Sequence, residues 1–200
     1  MSETTRGFTG KRRDPHGQLP PGQHLTDGFP VLSTGPTPRV ATSEWEFSIR
    51  TGNSTVARWT WQEFMELPVS TVVTDIHCVT SWSKLGTRWR GVSLDVLLND
   101  LPITDQYVMA HSYGGYRTNH ALDDLRGGKA WIAFEYGGAP LAPEHGGPAR
   151  LLVPHLYFWK SAKWIHELQT QGSNAPGLWE RNGYHLHGDP WREERYSRWV

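Results

Sequence analysis

The chain holds one cysteine among 200 residues, Cys78, and that thiol is the first place to look for chemistry. As a thiolate it is both a nucleophile and a ligand for soft metals. As a thiol it is a small apolar residue that prefers a core, the commonest fate of a free cysteine. The run Ser70-Thr71-Val72-Val73-Thr74-Asp75-Ile76 before it is β-branched and predicts a strand that hands Cys78 to the loop beyond. A strand end is where a rigid scaffold delivers a side chain to a loop-built site. His77 invites a Cys–His dyad, but neighbours in a strand point to opposite faces, so a dyad would need a more distant histidine.

Two further segments carry groups suited to an anion. Glu144-His145-Gly146-Gly147-Pro148-Ala149-Arg150 leads into Leu151-Leu152-Val153, a buried strand. Its glycines allow close backbone approach and offer N–H donors, and Arg150 presents a planar fork that matches phosphate or carboxylate. The plainer alternative is a turn with Arg150 on the surface. Trp159-Lys160-Ser161-Ala162-Lys163-Trp164-Ile165 sets two ammonium groups and a hydroxyl between aromatic walls. It reads equally as an edge strand with solvated lysines. His185-Leu186-His187 would face one way on a strand, but two histidines without a third ligand make a weak metal site. No G-x-G-x-x-G, P-loop, G-x-S-x-G, H-E-x-x-H or C-x-x-C motif occurs.

Short elements must position these groups. Glu44 to Ile49 alternates polar and apolar, turns at Thr51-Gly52-Asn53-Ser54 and returns over Thr55 to Trp59, which predicts a hairpin. Thr60-Trp61-Gln62-Glu63 has the form of a capping box and starts a short helix through Met65, stopped by Pro68. Ser93 to Leu98 predicts one to two helical turns, Tyr107 to His111 a strand, Asn119 to Leu125 a short helix capped by Asn119, and Ala130 to Tyr136 a strand ending at Gly137-Gly138. Trp159 to Leu168 is ordered but of ambiguous type. Residues 1–28 form an extended arm, frayed at its start and pinned on the body near Phe29-Pro30-Val31-Leu32; residues 29–200 form one domain.

Composition narrows the function. Twenty Lys+Arg balance twenty Asp+Glu, which disfavours nucleic-acid binding. No apolar run approaches the ~20 residues that span a bilayer, and no export signal is visible, so a cytoplasmic protein is expected. A lone cysteine requires no oxidising compartment.

Read together, the clusters resemble the catalytic domain of the sulfite oxidase superfamily of molybdopterin oxidoreductases, in its small cytosolic sulfite oxidase-like branch. Cys78-Val79-Thr80-Ser81-Trp82-Ser83 with Leu85-Gly86-Thr87-Arg88-Trp89-Arg90-Gly91-Val92 is similar to the segment that bears the family's molybdenum-ligating cysteine. His145 to Pro154 is similar to the pterin-phosphate loop and strand, and Lys160 to Trp164 to a further pterin-contacting stretch. Trp179-Glu180-Arg181-Asn182-Gly183-Tyr184-His185 and Gly188-Asp189-Pro190-Trp191 also resemble that branch.

The resemblance implies a mixed α+β, strand-rich fold and one molybdopterin whose molybdenum is ligated by Cys78. It implies cofactor contacts from Phe29, Ser112, His145, Arg150, Ser161 and Lys163, with Trp82, Trp89 and Tyr113 as walls near the metal. An oxo group would move between molybdenum and a small-molecule donor or acceptor, and a separate electron-transfer protein would supply or remove electrons. Sulfite oxidase carries an arginine-rich loop soon after its cysteine. Val79-Thr80-Ser81-Trp82 has none, which favours S- or N-oxide reduction over sulfite oxidation. Two readings from other classes stand beside this one: a tryptophan-rich binding domain that stacks on sugars or a protein, and a Cys78–His hydrolase.

Overall fold

A computed structural model describes residues 17–197, so the frayed start expected for the arm lies outside the described residues. In chain order the strands and helices are β1 (His24–Leu25), β2 (Glu46–Thr51), β3 (Ser54–Thr60), α1 (Trp61–Met65), β4 (Val69–His77), β5 (Trp82–Ser93), α2 (Leu94–Leu98), β6 (Tyr107–Ser112), β7 (Arg117–Ala121), β8 (Trp131–Tyr136), β9 (Ala139–Pro140), β10 (Arg150–Leu152), β11 (Ile165–Gln171) and α3 (Leu178–Arg181). Single 3₁₀ turns lie at Leu122–Asp124, Pro143–His145 and Phe158–Lys160. The fold is mixed and strand-rich, with short helices only.

Local chemistry accounts for several of these elements. β2 and β3 pair as the expected hairpin, turning at Gly52 with φ of 58°. Thr60 and Glu63 close a reciprocal capping box on α1. The Ser93 hydroxyl accepts from the Asp95 N–H and starts α2. The predicted helix over Asn119–Leu125 is corrected: Asn119 lies inside β7, and only Leu122–Asp124 makes a turn. Pairing with β6 decides that segment, Asn119 standing opposite Met109. The sequence pattern does not reveal β5, because Lys84, Gly86, Arg88 and Gly91 mask its period. Its alternation shows only once buried: Thr87 and Trp89 point in, while Arg88 and Arg90 point out.

One sheet runs β1-β5-β8-β10, with β4 on β5 and β9 on β8; the other runs β3-β2-β11-β6-β7. The larger core contains Phe47, Ile49, Ala110 and Leu168 from the second sheet and Val92, Ile132, Phe134 and Leu151 from the first. Residues on the opposite face of the first sheet, including Ile76, Trp89, Ala133 and Leu152, form a smaller aromatic core that also contains Cys78. In β10 the strand period therefore sorts the side chains: Leu151 enters the main core, and Arg150 and Leu152 turn to the cysteine side. A bulge between Arg90 and Gly91 brings β5 so close to β8 that a Cβ on Gly91 would lie 2.4 Å from the Ile132 carbonyl oxygen.

Candidate cofactor site

Cys78 sits at the tip of the β4–β5 hairpin. Its N–H donates to the Trp82 carbonyl at 2.8 Å, and its carbonyl accepts from the Ser81 N–H at 3.0 Å. The three-residue loop Val79-Thr80-Ser81 closes through Ser81 at a left-handed φ of 75°. β1 braces this tip: the His24 N–H donates to Ser81 and the Gln23 amide to the Cys78 carbonyl, at 2.9 and 3.1 Å. The Cys78 sulfur is 3.1 Å from the Thr80 hydroxyl, and the residue is 7% exposed. Burial pushes the thiol up from its usual range, against the Thr80 hydrogen bond and the Arg195 charge.

That sulfur opens on a cavity of about 320 Å³. Phe29, Pro30 and the Leu32-Ser33-Thr34 stretch, with Cys78, Val79 and Thr80, His145, Arg150, Ser161 and Lys163, all contribute to its wall. Of the residues expected to hold a cofactor, Phe29, Cys78, His145, Arg150, Ser161 and Lys163 are therefore brought together. Ser112 is buried at the end of β6 and is not among the lining residues. Trp82 lines the cavity, whereas Trp89 packs behind it against Phe29 and Tyr136. Tyr113 turns away and donates to the Glu46 carbonyl.

Arg150 is 1% exposed, so the surface alternative fails. Its guanidinium stacks on Phe158 at 4.1 Å and donates to the His145 and Ser161 carbonyls at 2.8 and 2.6 Å. Nε lies 3.4 Å from the Leu151 carbonyl, which leaves two of its five N–H donors unassigned. Lys163 donates to the Leu32 and Glu144 carbonyls at 2.8 and 2.6 Å and keeps a third N–H. Among the described residues, both cations have carbonyls rather than carboxylates as partners. Burial draws Lys163 down to about 8 and Arg150 to about 9, so both remain charged at neutral pH. One buried and one half-buried positive charge, neither with a carboxylate partner among the described residues, create a strong preference for an anion in the cavity.

The His145 ring lies flat on Phe29, centroids 3.9 Å apart, and its buried Nδ1 has no protein partner; the Trp82 indole Nε1 is likewise buried and unpartnered. Unsatisfied buried groups beside a cavity are what a polar ligand would satisfy. Burial, with Arg150 and Lys163 close by, lowers His145 and keeps it neutral.

The glycines act differently from expectation. The Gly146 and Gly147 N–H groups are already spent on the Pro143 and Ala142 carbonyls, so they are not ligand donors. Gly146 instead lets Arg150 and Lys163 close together: a Cβ there would stand 3.0 Å from the Cβ of each. The two lysines also divide. Lys160 is buried in a 2.7 Å ion pair with Glu180 and donates to Asn119 and Leu186, while Lys163 alone faces the cavity. Sequence reasoning missed Thr80, Tyr116, Trp179 and Tyr184; the last two lie in the quoted C-terminal motif, but its spacing does not reveal that it folds back on the cysteine.

His185 and His187 do not form a metal pair. His187 Nδ1 lies 2.8 Å from Glu194, its Nε2 lies 3.4 Å from Asp124, and His155 approaches the other Asp124 oxygen at 3.2 Å. Hydrogen bonds that the ring donates to Asp124, and to Glu194, outweigh burial and raise His187 to about 8. Burial alone would push Asp124 up, but the two histidines hold it well below the carboxylate range. A base raised in the folded state contributes stability that is complete below its unfolded value near 6.5 and vanishes as pH climbs through about 8. Solvent screening at this partly exposed pair limits that contribution to about 1 kcal/mol. The melting temperature is therefore expected to fall between pH 6.5 and 9 by more in the native chain than in His187→Gln, as read by thermal melts; parallel curves would assign the loss to other groups.

Known proteins resemble this chain in sequence and in fold. A family model described as "Oxidoreductase molybdopterin binding domain" matches residues 34–179. A Bacillus subtilis protein named "Uncharacterized oxidoreductase YuiH" is 39% identical over 195 residues, covering 95% of this chain and 98% of its own. A protein of Azospira oryzae that carries the name of a protein-methionine-sulfoxide reductase subunit, YedZ1, is 29% identical over 132 residues, 65% of this chain and 50% of that one. The crystal structure of the sulfane dehydrogenase SoxCD from Paracoccus pantotrophus matches with a TM-score of 0.61 at 18% identity, over 74% of this chain and 42% of that one, a likeness of fold. With the matched domain spanning most of the chain and a near full-length relative beside it, the chain belongs to the molybdopterin-binding oxidoreductases of the sulfite oxidase superfamily and is a molybdenum cofactor-dependent enzyme.

Proposed function

We propose that the cavity binds one molybdopterin with Cys78 as the protein ligand to molybdenum, and that the enzyme reduces a small, uncharged S- or N-oxide. One observation carries the reading: the chain's lone thiol, buried Arg150 and half-buried Lys163 line the same cavity, and among the described residues neither cation has a carboxylate partner. The residues fit the group. Arg150, Lys163 and the Ser161 hydroxyl, which accepts from the Val153 N–H and retains its own proton to donate, suit a phosphate. His145 and the Trp82 indole offer unpartnered ring nitrogens, and Phe29 stacked on His145 supplies an apolar wall.

When bound, the cofactor supplies a metal that exchanges an oxo group and two electrons with substrate. The chain does the rest. The Cys78 thiol, held protonated by burial, gives up its proton on ligation, and the Thr80 hydroxyl 3.1 Å away then donates to the sulfur. Neutral His145 adds no charge beside Arg150 and Lys163. Phe29, Trp82, Phe158 and Trp164 limit water in the cavity. Among the described residues, no Arg or Lys lines the cavity beyond the two that the phosphate requires, which supports an uncharged substrate over sulfite. The name carried by the Azospira relative points the same way. Electrons come from a separate redox protein, since the sequence has no haem, flavin or nicotinamide motif. No helix among the described residues is long and apolar enough to cross a membrane. With one cysteine and so no internal disulfide, the chain suits a reducing compartment, and we place it in the cytoplasm.

Protein from a molybdopterin-competent host tests the reading. Molybdenum and oxidised-pterin fluorescence are measured first, then viologen-linked reduction of sulfoxides and N-oxides beside ferricyanide-linked oxidation of sulfite. Turnover with the oxides is expected; turnover with sulfite alone would overturn the substrate class.

A further inference from the structure

Arg195 is not part of the cavity wall, yet three segments meet on its guanidinium. Nη1 donates to the Val79 carbonyl at 2.5 Å and lies 3.5 Å from the Ser81 hydroxyl, while Nη2 donates to the Pro21 carbonyl at 3.1 Å. Its plane lies over the Tyr157 ring at 5.1 Å, and only 12% of the side chain is exposed. The C-terminal segment thereby grips the loop that follows Cys78 and ties it to the arm. Val79 and Ser81 are two of the three residues in that loop, so the fork fixes the backbone that aims the sulfur.

The charge is as relevant as the grip. Carbonyl oxygens satisfy the N–H donors without neutralising the guanidinium, and the nearby Glu193, at 3.7 Å and half exposed, offsets it only weakly. The cation therefore stands beside the site where a ligating sulfur gathers negative charge, in surroundings drier than water. Its attraction for the sulfur's negative form already opposes the effect of burial on the thiol.

We propose that Arg195 is a positioning residue for Cys78, one that fixes the ligand turn and whose charge favours the more electron-rich, reduced state of the metal–thiolate unit. The proposal rests on Cys78 being the molybdenum ligand. It separates grip from charge, because glutamine retains a donor without charge and lysine retains charge without the fork.

The test uses loaded protein and two readouts: the molybdenum midpoint potential by EPR-monitored titration, and hydrogen exchange at residues 79–81. R195Q is expected to shift the potential to more negative values. R195K is expected to keep the native potential but to exchange faster in the loop. A native potential in loaded R195Q overturns the charge role, and native exchange in R195K overturns the grip. If R195Q does not fold, the charge role is read from R195K at high pH, where deprotonation of the lysine should add a negative shift to whatever the native protein shows over the same range; a shift no larger than the native one overturns it. Cys78→Ser is the control: molybdenum retained there would refute the ligand assignment itself, whereas molybdenum lost there with a native potential in R195Q would refute only the proposal.

Discussion

Serine in place of Cys78 is expected to reduce molybdenum from near one atom per chain to near zero, measured by elemental analysis of protein from the same host. The effect should be large because a hydroxyl does not ionise near neutral pH as a thiol does, so the anionic protein ligand is lost. The fold should persist. The change is nearly isosteric at a residue whose backbone bonds, to Trp82, Ser81 and Gln23, do not involve sulfur. A native circular dichroism spectrum with lost metal would place the defect in the ligand; a Cys78→Ser protein that kept molybdenum would refute the assignment on which the site is built.

Arg150→Met should have the second-largest effect. Methionine keeps much of the apolar bulk against Phe158 but removes a guanidinium that lines the cavity. Charge-assisted hydrogen bonds contribute about 1.5–3 kcal/mol each, so loss of one or two to a phosphate predicts roughly a hundredfold weaker retention of the pterin. Dialysis followed by pterin fluorescence reads this directly. The empty variant loses an unneutralised buried charge but leaves the His145 and Ser161 carbonyls without that donor, two effects of opposite sign. Its melting temperature should therefore differ from that of the empty native protein by only a few degrees. Native retention would mean that Arg150 serves packing alone.

Several parts of this molecule were legible without coordinates because short-range rules govern them. The capping box Thr60–Glu63, the hairpin about Gly52 and the strand leading to Cys78 follow from residue type and period within a few positions. The motifs of His145–Pro154 and Lys160–Trp164 can each be read in one short stretch, but their grouping with Cys78 comes from the family resemblance, since no local rule joins segments so far apart.

Failures occurred where partners distant in sequence decide the outcome. Asn119 carries a helix-capping side chain, yet β6 supplies a ladder of backbone hydrogen bonds that a single cap does not match. β5 hides its alternation behind charges that become outward-facing only once Trp89 on its other side is buried in the smaller aromatic core. Lys160 and Lys163 are three residues apart and chemically alike; Glu180, twenty residues on, claims one and leaves the other to the cavity.

The amino-acid sequence by itself determined which groups this protein has for its chemistry: one thiol, a guanidinium at the head of a buried strand, and a hydroxyl–ammonium pair beyond it. Only the tertiary structure decided that Arg150 faces the thiol, that the glycines serve close packing rather than ligand binding, and that the C-terminal Arg195 reaches the cysteine loop. The reason is one of range. Side-chain type and strand period are local, whereas burial, charge neutralisation and the choice of hydrogen-bond partner are set by segments that meet only when the chain is folded.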